Sequence, residues 1–265
     1  MNLLVPTSWY ILLMQRFQNK NVMITGAASG IGRAAAIRIA QEGGNLALLD
    51  INLSRLKDVA QELNTYGNKI FYSKCDISNF EEAGQVIDNL CQEIGGIQAL
   101  SHNVGILRCY HTHEMTLEQW NEVIAVNLTG TFNVNRHAIP HLLKNKCSYL
   151  VNTSSNAIDQ PHPWMSAYAA AKGAIKSFTR SLFIEYCLQG LHANCVLPGS
   201  IKTDLAETFM VPEGGNRELI KTLIPLGESK LVSPDHVAGV IALLTSDDAF
   251  HINGTEITVD GGKIF

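Results

Sequence analysis

Positive charge is scarce in this sequence, and no cluster of lysine and arginine residues interrupts it. The 265 residues carry 20 Lys and Arg against 24 Asp and Glu, a formal net charge of −4 at pH 7. Nucleic-acid-binding proteins generally present a basic surface to the phosphates. The charge balance therefore gives no support for a nucleic-acid partner.

Cysteine and histidine residues with metal-binding spacing are also missing. Several cysteines lie in apolar runs, which is typical of buried free thiols in a reducing compartment. His111 and His113 lie two residues apart in HTHE, but no third ligand follows at a matching spacing, so we predict no metal site. The six cysteines contain no CxxC pair: Cys75, Cys91, Cys109, Cys147, Cys187 and Cys195.

A long apolar segment is absent as well. The N-terminal stretch LLVPTSWYILLM lacks a basic flank and falls short of the roughly 20 residues that span a bilayer. We predict neither a signal peptide nor a membrane anchor, and by default a cytoplasmic protein. Residues 1–13 are predicted to be an extension that arises from an upstream start codon or packs on the surface. N-terminal sequencing tests this, since a native chain beginning at Met1 would exclude the start-codon explanation.

What the chain does have is apolar material for one large domain, predicted to run from 14 to 265. Hydrophobic residues make up 46% of it and charged residues 17%. Short apolar runs alternate with longer segments of helical period, which predicts an α/β fold with a doubly wound, Rossmann-like parallel sheet. We expect about seven strands, with helices on both faces. The predicted strands are 21–25, 45–50, 69–76, 97–103, 148–154, 191–199 and 255–261, and the predicted helices 31–42, 53–64, 79–94, 116–143, 164–189 and 234–245.

One long segment, about 200–230, has neither a strand nor a helix period. In a compact domain such a segment is more often a functional lid than a structural necessity. Its apolar residues Leu205, Phe209 and Met210 are predicted to meet a largely nonpolar substrate.

A glycine-rich turn, TGAASGIG, follows the first strand. Gly26, Gly30 and Gly32 permit a tight turn at which a backbone and a helix N-terminus can approach a pyrophosphate. The spacing is GxxxGxG, and glycines after a strand are often only a turn. Alone, the motif leaves both interpretations open.

Asp50 favours the dinucleotide interpretation. It ends the second strand, 24 residues after Gly26, where a carboxylate can accept hydrogen bonds from the adenosine ribose. The same charge would repel a 2′-phosphate, and neither Arg nor Lys occupies 51 or 52, while Ser29 is neutral. We therefore predict NAD(H) rather than NADP(H). The alternative is an aspartate that caps a turn.

Tyr168 and Lys172 lie four residues apart in YAAAK, on one face of a predicted helix. A neighbouring ammonium favours the phenolate, so we expect the pKa of Tyr168 to fall from about 10 towards that of a general base. Ser155 lies thirteen residues earlier, at the end of a predicted strand. A surface helix with two long polar side chains is the alternative.

Together with HNVG, Asn127 and PGSIKT, these motifs resemble the short-chain dehydrogenase/reductase family, in particular its compact NAD-preferring members. The resemblance runs from about residue 17 to the C-terminal VDGG. It implies that Tyr168 acts as the general acid/base and Ser155 holds the reacting oxygen. It also implies that Lys172 holds the nicotinamide ribose and Asn127 positions a water of a proton relay.

The remaining cofactor contacts also come from the resemblance. Asp76 and Ile77 match the adenine side, Asn103 and Gly105 the turn that supports the central sheet, and the loop after the sixth strand the nicotinamide. His102 replaces the usual asparagine and is predicted to be a packing residue. Besides the residues above, the predicted cofactor contacts are Ile31, Pro198, Gly199, Ile201 and Thr203.

These features predict an NAD(H)-dependent enzyme that interconverts a secondary alcohol and a ketone. Reduction of 3-oxoacyl thioesters is one alternative, and a non-catalytic, dinucleotide-sensing protein is another. The resemblance further implies a homotetramer built through the helices predicted at 116–143 and 164–189.

Overall fold

A parallel sheet forms the centre of the protein, as predicted. The computed structural model describes residues 15–223 and 231–262. Within them, seven strands lie in the order β3-β2-β1-β4-β5-β6-β7, and every neighbouring pair is parallel. The strands are β1 (Asn21–Thr25), β2 (Asn45–Asp50), β3 (Ile70–Lys74), β4 (Ala99–His102), β5 (Ser148–Thr153), β6 (Leu191–Pro198) and β7 (Glu256–Val259).

Helices cover both faces of this sheet. Side chains of one strand alternate between the faces, so Met23 packs with α3 and α5 while Val22 and Ile24 pack with α1 and α2. α8 completes the second face beside α1. The helices are α1 (Gly30–Gln41), α2 (Leu53–Leu63), α3 (Phe80–Ile94), α4 (Leu117–Ile124), α5 (Gly130–Leu142), α6 (Ser166–Tyr186), α7 (Asp204–Glu207) and α8 (Asp235–Leu244).

The stretch predicted as helical over 116–143 is helical from Leu117 to Leu142, but its middle is not α-helical. A π-helical turn, Ala125–Thr129, separates α4 from α5, and the Gly130 amide donates to the Ala125 carbonyl. A Cβ at Gly130 would lie 2.7 Å from Ile77 Cδ1, so glycine lets the chain pass close to the loop after β3. Such turns often mark functional sites.

The described residues of the segment predicted as a lid form two short helical elements. Thr203 caps α7 by accepting a hydrogen bond from the Ala206 amide (3.3 Å), and a 3₁₀ turn covers Arg217–Leu223. Residues 224–230 lie outside the described residues, as does the predicted extension 1–13. In the two ranges that the structure covers, no helix combines the length and apolarity needed to cross a bilayer.

Candidate active site

The glycine turn joins β1 to α1 through backbone that other residues adopt with strain. Gly26 and Gly30 have φ values of +67° and +52°. At Gly32 a Cβ would lie 2.1 Å from the Gly26 carbonyl oxygen, so the first turn of α1 packs directly on the end of β1. Ser29 precedes the helix in an extended conformation. The result is a cradle of closely packed backbone with no room for a side chain at Gly32.

Asp50 lies at the carboxyl end of β2, beside that cradle. One carboxylate oxygen accepts from the Ala28 amide (3.0 Å) and the other from the Asn52 amide (2.8 Å). These bonds fix the carboxylate against the glycine turn, and each oxygen keeps a further lone pair. Ile51, the next residue, is an exposed apolar side chain.

The ends of β3 and β4 bring three further predicted residues to the same edge of the sheet. Asp76 accepts from the amide and hydroxyl of Ser78 (2.9 and 2.7 Å), and Ile77 is buried. The Asn103 side chain accepts from the Thr153 hydroxyl (2.8 Å) and donates to the Thr25 carbonyl (3.3 Å). Asn103 therefore ties together the ends of β1, β4 and β5.

Ser155 and Tyr168 are brought together by the end of β5 and the first turn of α6. The Ser155 hydroxyl acts to lower the pKa of the tyrosine. The Ser155 oxygen also accepts from the Ala157 amide (3.1 Å), which leaves its proton free to be donated. Both side chains are buried, at 8% and 7% exposure, yet both line a cavity.

Lys172 lies one helical turn beyond Tyr168 and is also buried. Its Nζ donates to the Thr153 carbonyl (2.9 Å) and lies 5.9 Å from the centroid of the Tyr168 ring. Burial lowers the pKa of the ammonium to about 8, because the charged form loses its hydration. The amine therefore loses its proton at a lower pH than a solvated lysine does.

The prediction that the pKa of Tyr168 falls is wrong, because the surrounding protein raises it. Burial raises the pKa of Tyr168, and the Ser155 hydroxyl offsets only part of that rise. The physical reason is that the phenolate loses its hydration on burial, and this loss outweighs the favourable effect of the hydroxyl.

Asn127 lies in the π-helical turn behind the cavity wall. Its side chain pairs with the backbone of Ile106, accepting from the amide (2.7 Å) and donating to the carbonyl (2.9 Å). A Cβ at Gly105 would lie 3.2 Å from Lys172 Nζ and 3.4 Å from Asn127 Oδ1. Gly105 thus allows the loop after β4 to cover both side chains closely.

The loop after β6 closes the site from the other side. Pro198 ends β6, and Ile201 is buried and bridges to Val232. The methyl group of Thr203 lies 3.0 Å from the position that a Cβ at Gly30 would take. The loop therefore reaches across to the glycine turn.

A single cavity of about 640 Å³ connects these parts. Every predicted site residue lines it except Asn127, whose Oδ1 lies 3.4 Å from the position that a Cβ at Gly105 would take. Leu205 and Phe209 also line it as expected, whereas Met210 is 71% exposed and does not. Sequence reasoning missed further lining residues, most of them apolar: Val104, Ile106, Leu107, Arg108, Met165, Ile220, Leu223 and Leu231.

His102, the histidine of the HNVG motif, has a structural role. His102 is buried between two hydroxyls, with Nδ1 2.7 Å from Thr25 Oγ1 and Nε2 3.0 Å from Thr131 Oγ1. Burial and the Lys172 charge lower its pKa to about 3, so it packs as a neutral ring, as predicted. Among the residues that the structure describes, no cluster of three metal-ligating side chains occurs, and the six cysteines are free.

The chain matches known proteins over most of its length. Residues 20–212 match the short chain dehydrogenase family model. The chain is 33% identical to a 3-oxoacyl-(acyl-carrier-protein) reductase of Thermotoga maritima over 249 residues, which cover 94% of this chain and 99% of that one. It is 34% identical to cyclohexanol dehydrogenase of an Acinetobacter species over 251 residues, covering 94% and 97%.

A solved structure agrees with these matches. The 3-ketoacyl-(acyl-carrier-protein) reductase of Brucella melitensis, complexed with NADH, superposes with a TM-score of 0.83 at 27% identity, covering 93% of this chain and 98% of that one. The sheet order, the glycine turn and the Ser155–Tyr168–Lys172 cluster on one cavity wall agree with this relationship. The chain belongs to the short-chain dehydrogenase family and is an oxidoreductase of CH–OH and C=O groups.

Proposed function

We propose that the protein uses NAD(H) to interconvert a nonpolar secondary alcohol and its ketone, with Ser155, Tyr168 and Lys172 as catalytic residues. The observation that supports this most directly is their position on one wall of the cavity that also contains the glycine turn and Asp50. A substrate oxygen that contacts both hydroxyls would lie between Ser155 and Tyr168, which line the same cavity.

The residues divide the chemistry among them. Bound NAD⁺ would supply the hydride acceptor and a positively charged ring. Tyr168 takes the hydroxyl proton in the oxidation direction and returns it during reduction. Ser155 donates a hydrogen bond to the reacting oxygen. Lys172 keeps positive charge near the phenol, and Asn127 fixes the loop that covers Lys172.

The residues proposed to contact the cofactor line the same cavity. The backbone cradle at Gly26, Ser29, Gly30, Ile31 and Gly32 suits a pyrophosphate, because it ends at a helix N-terminus. We propose that Asp76 and Ile77 contact the adenine, that Asn103 and Gly105 shape the adenosine side, and that the loop after β6 contacts the nicotinamide through Pro198, Gly199, Ile201 and Thr203.

Asp50 favours NAD(H) over NADP(H), because its carboxylate lies beside the glycine turn and would repel a 2′-phosphate. Two arginines of the first two helices are paired with acids: Arg55 with Asp204, and Arg33 with Glu62 at 2.6 Å. We expect Asp50→Asn to weaken NAD⁺ binding about tenfold and to narrow the preference for NAD⁺ over NADP⁺ by at least that factor. Initial rates against each nucleotide measure this.

The control for Asp50 is Asp58→Asn, which removes the same charge from an exposed position on α2. It should leave both nucleotide constants unchanged. An Asp50→Asn variant that keeps the full preference of the wild type would exclude this carboxylate as the discriminating group.

An absorbance screen tests the proposed function as a whole. Reduction of NAD⁺ and NADP⁺ is followed with a panel of aliphatic, cyclic and aromatic secondary alcohols, and oxidation of NADH and NADPH with ketones and 3-oxoacyl thioesters. We expect NAD⁺-linked turnover of a nonpolar alcohol. Absence of turnover with every member of the panel would count against the proposal.

Reduction of 3-oxoacyl thioesters is the second candidate. It is supported by the similarity to two reductases of that name, one of them solved with NADH. In the same screen, a higher kcat/KM for 3-oxoacyl thioesters than for any simple ketone would identify this activity instead.

The described part of the predicted lid, residues 200–223, is proposed to cover the substrate. Phe209 lines the cavity and packs on Trp164 with ring centroids 6.3 Å apart. We expect Phe209→Asp to raise KM for the alcohol about tenfold or more, because a carboxylate replaces an apolar contact. Michaelis constants for substrate and for NAD⁺ should separate the two subsites.

Met210 provides the matched control for Phe209. It is the adjacent residue, exposed and absent from the cavity wall, so Met210→Asp should leave KM unchanged. Equal effects of the two substitutions would remove Phe209 from the substrate site.

We also propose a homotetramer in a reducing, cytoplasmic compartment. Large apolar side chains remain exposed on the helix layer that family resemblance assigns to the interface, with Phe132 on α5 at 45% and Ile184 on α6 at 71%. Six free thiols suit the compartment. Light scattering on the purified protein should give the mass of four chains, and a monomeric mass would refute the assembly.

A further inference from the structure

The C-terminal VDGG segment contacts the turn that carries Ser155. Asp260 follows β7, and its Oδ2 accepts hydrogen bonds from Asn156 Nδ2 and Gln160 Nε2, both at 3.3 Å. Asn156 Nδ2 also donates to Gln160 Oε1 (3.2 Å). One carboxylate oxygen thus joins the first and last residues of the turn that follows the serine.

Gly199 makes this contact possible. A Cβ at residue 199 would lie 2.5 Å from Asp260 Cβ and 3.2 Å from Asn156 Nδ2. The glycine is required by this close approach, because three segments meet there: the loop after β6, the serine turn and the C-terminal segment. The second oxygen of Asp260 accepts from the Gly262 amide (3.0 Å), which fixes the carboxylate in place.

A second link connects the same two segments. Lys176, one turn beyond Lys172 on α6, lies 3.0 Å from the Glu256 carboxylate in β7 and 3.6 Å from that of Asp159 in the serine turn. The turn is therefore held by β7 and by the residue after it, from two sides.

The two side chains that donate to Asp260 are buried, so loss of the carboxylate would leave their amides without this acceptor. Asn156 and Gln160 are 3% and 7% exposed, so water is a poor substitute for the acceptor that their amides share. Asn156 lines the cavity and directly follows Ser155 in the chain. A shift of this amide would move the serine hydroxyl relative to Tyr168.

We propose that Asp260 is a positioning residue for Ser155, acting through Asn156 and Gln160; this inference rests on the proposed function of Ser155. Asp260 lies in the C-terminal segment, beyond residues 20–212 that match the family model.

Two measurements on Asp260→Ala test the proposal. Hydrogen–deuterium exchange of the peptide 154–163 should become at least about twofold faster, while exchange of α1 stays unchanged. At saturating NAD⁺, kcat should fall about tenfold, while the NADH dissociation constant stays within twofold of the wild-type value. This combination is expected for a misplaced catalytic group. Asp260→Asn, which keeps one acceptor oxygen, should recover part of both effects.

Asp248→Ala is the control, since this exposed aspartate lies 3.5 Å from Arg16 and away from the serine turn. It should leave exchange and kcat unchanged. Unchanged exchange at 154–163 in Asp260→Ala, faster exchange throughout the chain, or an undiminished kcat would overturn the proposal. A wild type that turns over nothing refutes the proposed function, whereas exchange still decides whether Asp260 anchors the turn.

Discussion

Tyr168→Phe is expected to lower kcat about 10³-fold while NADH binds within threefold of the wild-type affinity. The phenol is the group that would exchange a proton with the substrate, and general acid–base catalysis contributes about 10²- to 10⁴-fold. Phenylalanine keeps the ring, so the cavity wall is unchanged apart from the phenolic hydroxyl. Steady-state kinetics give kcat, and quenching of protein fluorescence gives the affinity.

Loss of the phenolic hydroxyl should change the free energy of unfolding by no more than about 1.5 kcal/mol. Denaturant titration checks that the variant remains folded. Tyr186→Phe is the control, because Tyr186 lies on the same helix but does not line the cavity. It should retain wild-type kcat.

The same variant separates an enzyme from a dinucleotide-sensing protein. A sensor would bind NADH equally well with either residue at 168 and would show no turnover with tyrosine. Turnover by the wild type that survives intact in Tyr168→Phe would contradict the proposed acid/base.

Gly32→Ala is the second substitution with a large expected effect. Its Cβ would lie 2.1 Å from the Gly26 carbonyl oxygen and 2.6 Å from the carbonyl carbon, both backbone atoms that no rotamer change can move. α1 must therefore shift away from β1. We expect a loss of about 3 kcal/mol or more in the free energy of unfolding, together with loss of nucleotide binding.

Gly239→Ala is the matched control for this change. Gly239 lies within α8, and the nearest atom to a Cβ there is Arg38 Nη1 at 3.7 Å, which is ordinary contact. Alanine should stabilise the helix by about 0.5–1 kcal/mol. Chemical denaturation and NADH titration of both variants give the comparison. A Gly32→Ala protein of wild-type stability and affinity would disprove the close packing of α1 on the turn.

The parts of the fold that depend on local pattern could be predicted from the sequence. β1 and β2 begin and end at the predicted residues, because buried parallel strands are continuous apolar runs. The places of the glycine turn and of Asp50 in the site could be predicted because each lies at the end of one of these strands. Since carboxyl ends of parallel strands meet at one edge, residues distant in sequence reach one cavity.

Features that depend on contacts between distant segments could not be predicted. The π-helical turn at Asn127 reflects the fit of Gly130 against Ile77, which helical periodicity does not report. The direction of the Tyr168 pKa shift depends on burial, and burial on the whole cavity wall. The contact of Asp260 with Asn156 joins residues 104 positions apart.

The substrate side of the cavity was the least predictable region. Leu223 and Leu231 line it from a segment without helix or strand period, so no sequence pattern assigned them to the wall. Met210 was expected there with Phe209, but adjacent residues of an irregular segment point in directions that only the packed structure determines.

Direct transfer of hydrogen from substrate to nicotinamide tests the central claim most directly. The alcohol that reacts fastest in the screen is deuterated at its carbinol carbon, and the reduced nucleotide is analysed by mass spectrometry. The account predicts that wild-type protein places one deuterium in NADH and that Tyr168→Phe does so about 10³-fold more slowly. NADH without deuterium, or labelling at an equal rate in the two proteins, would contradict it.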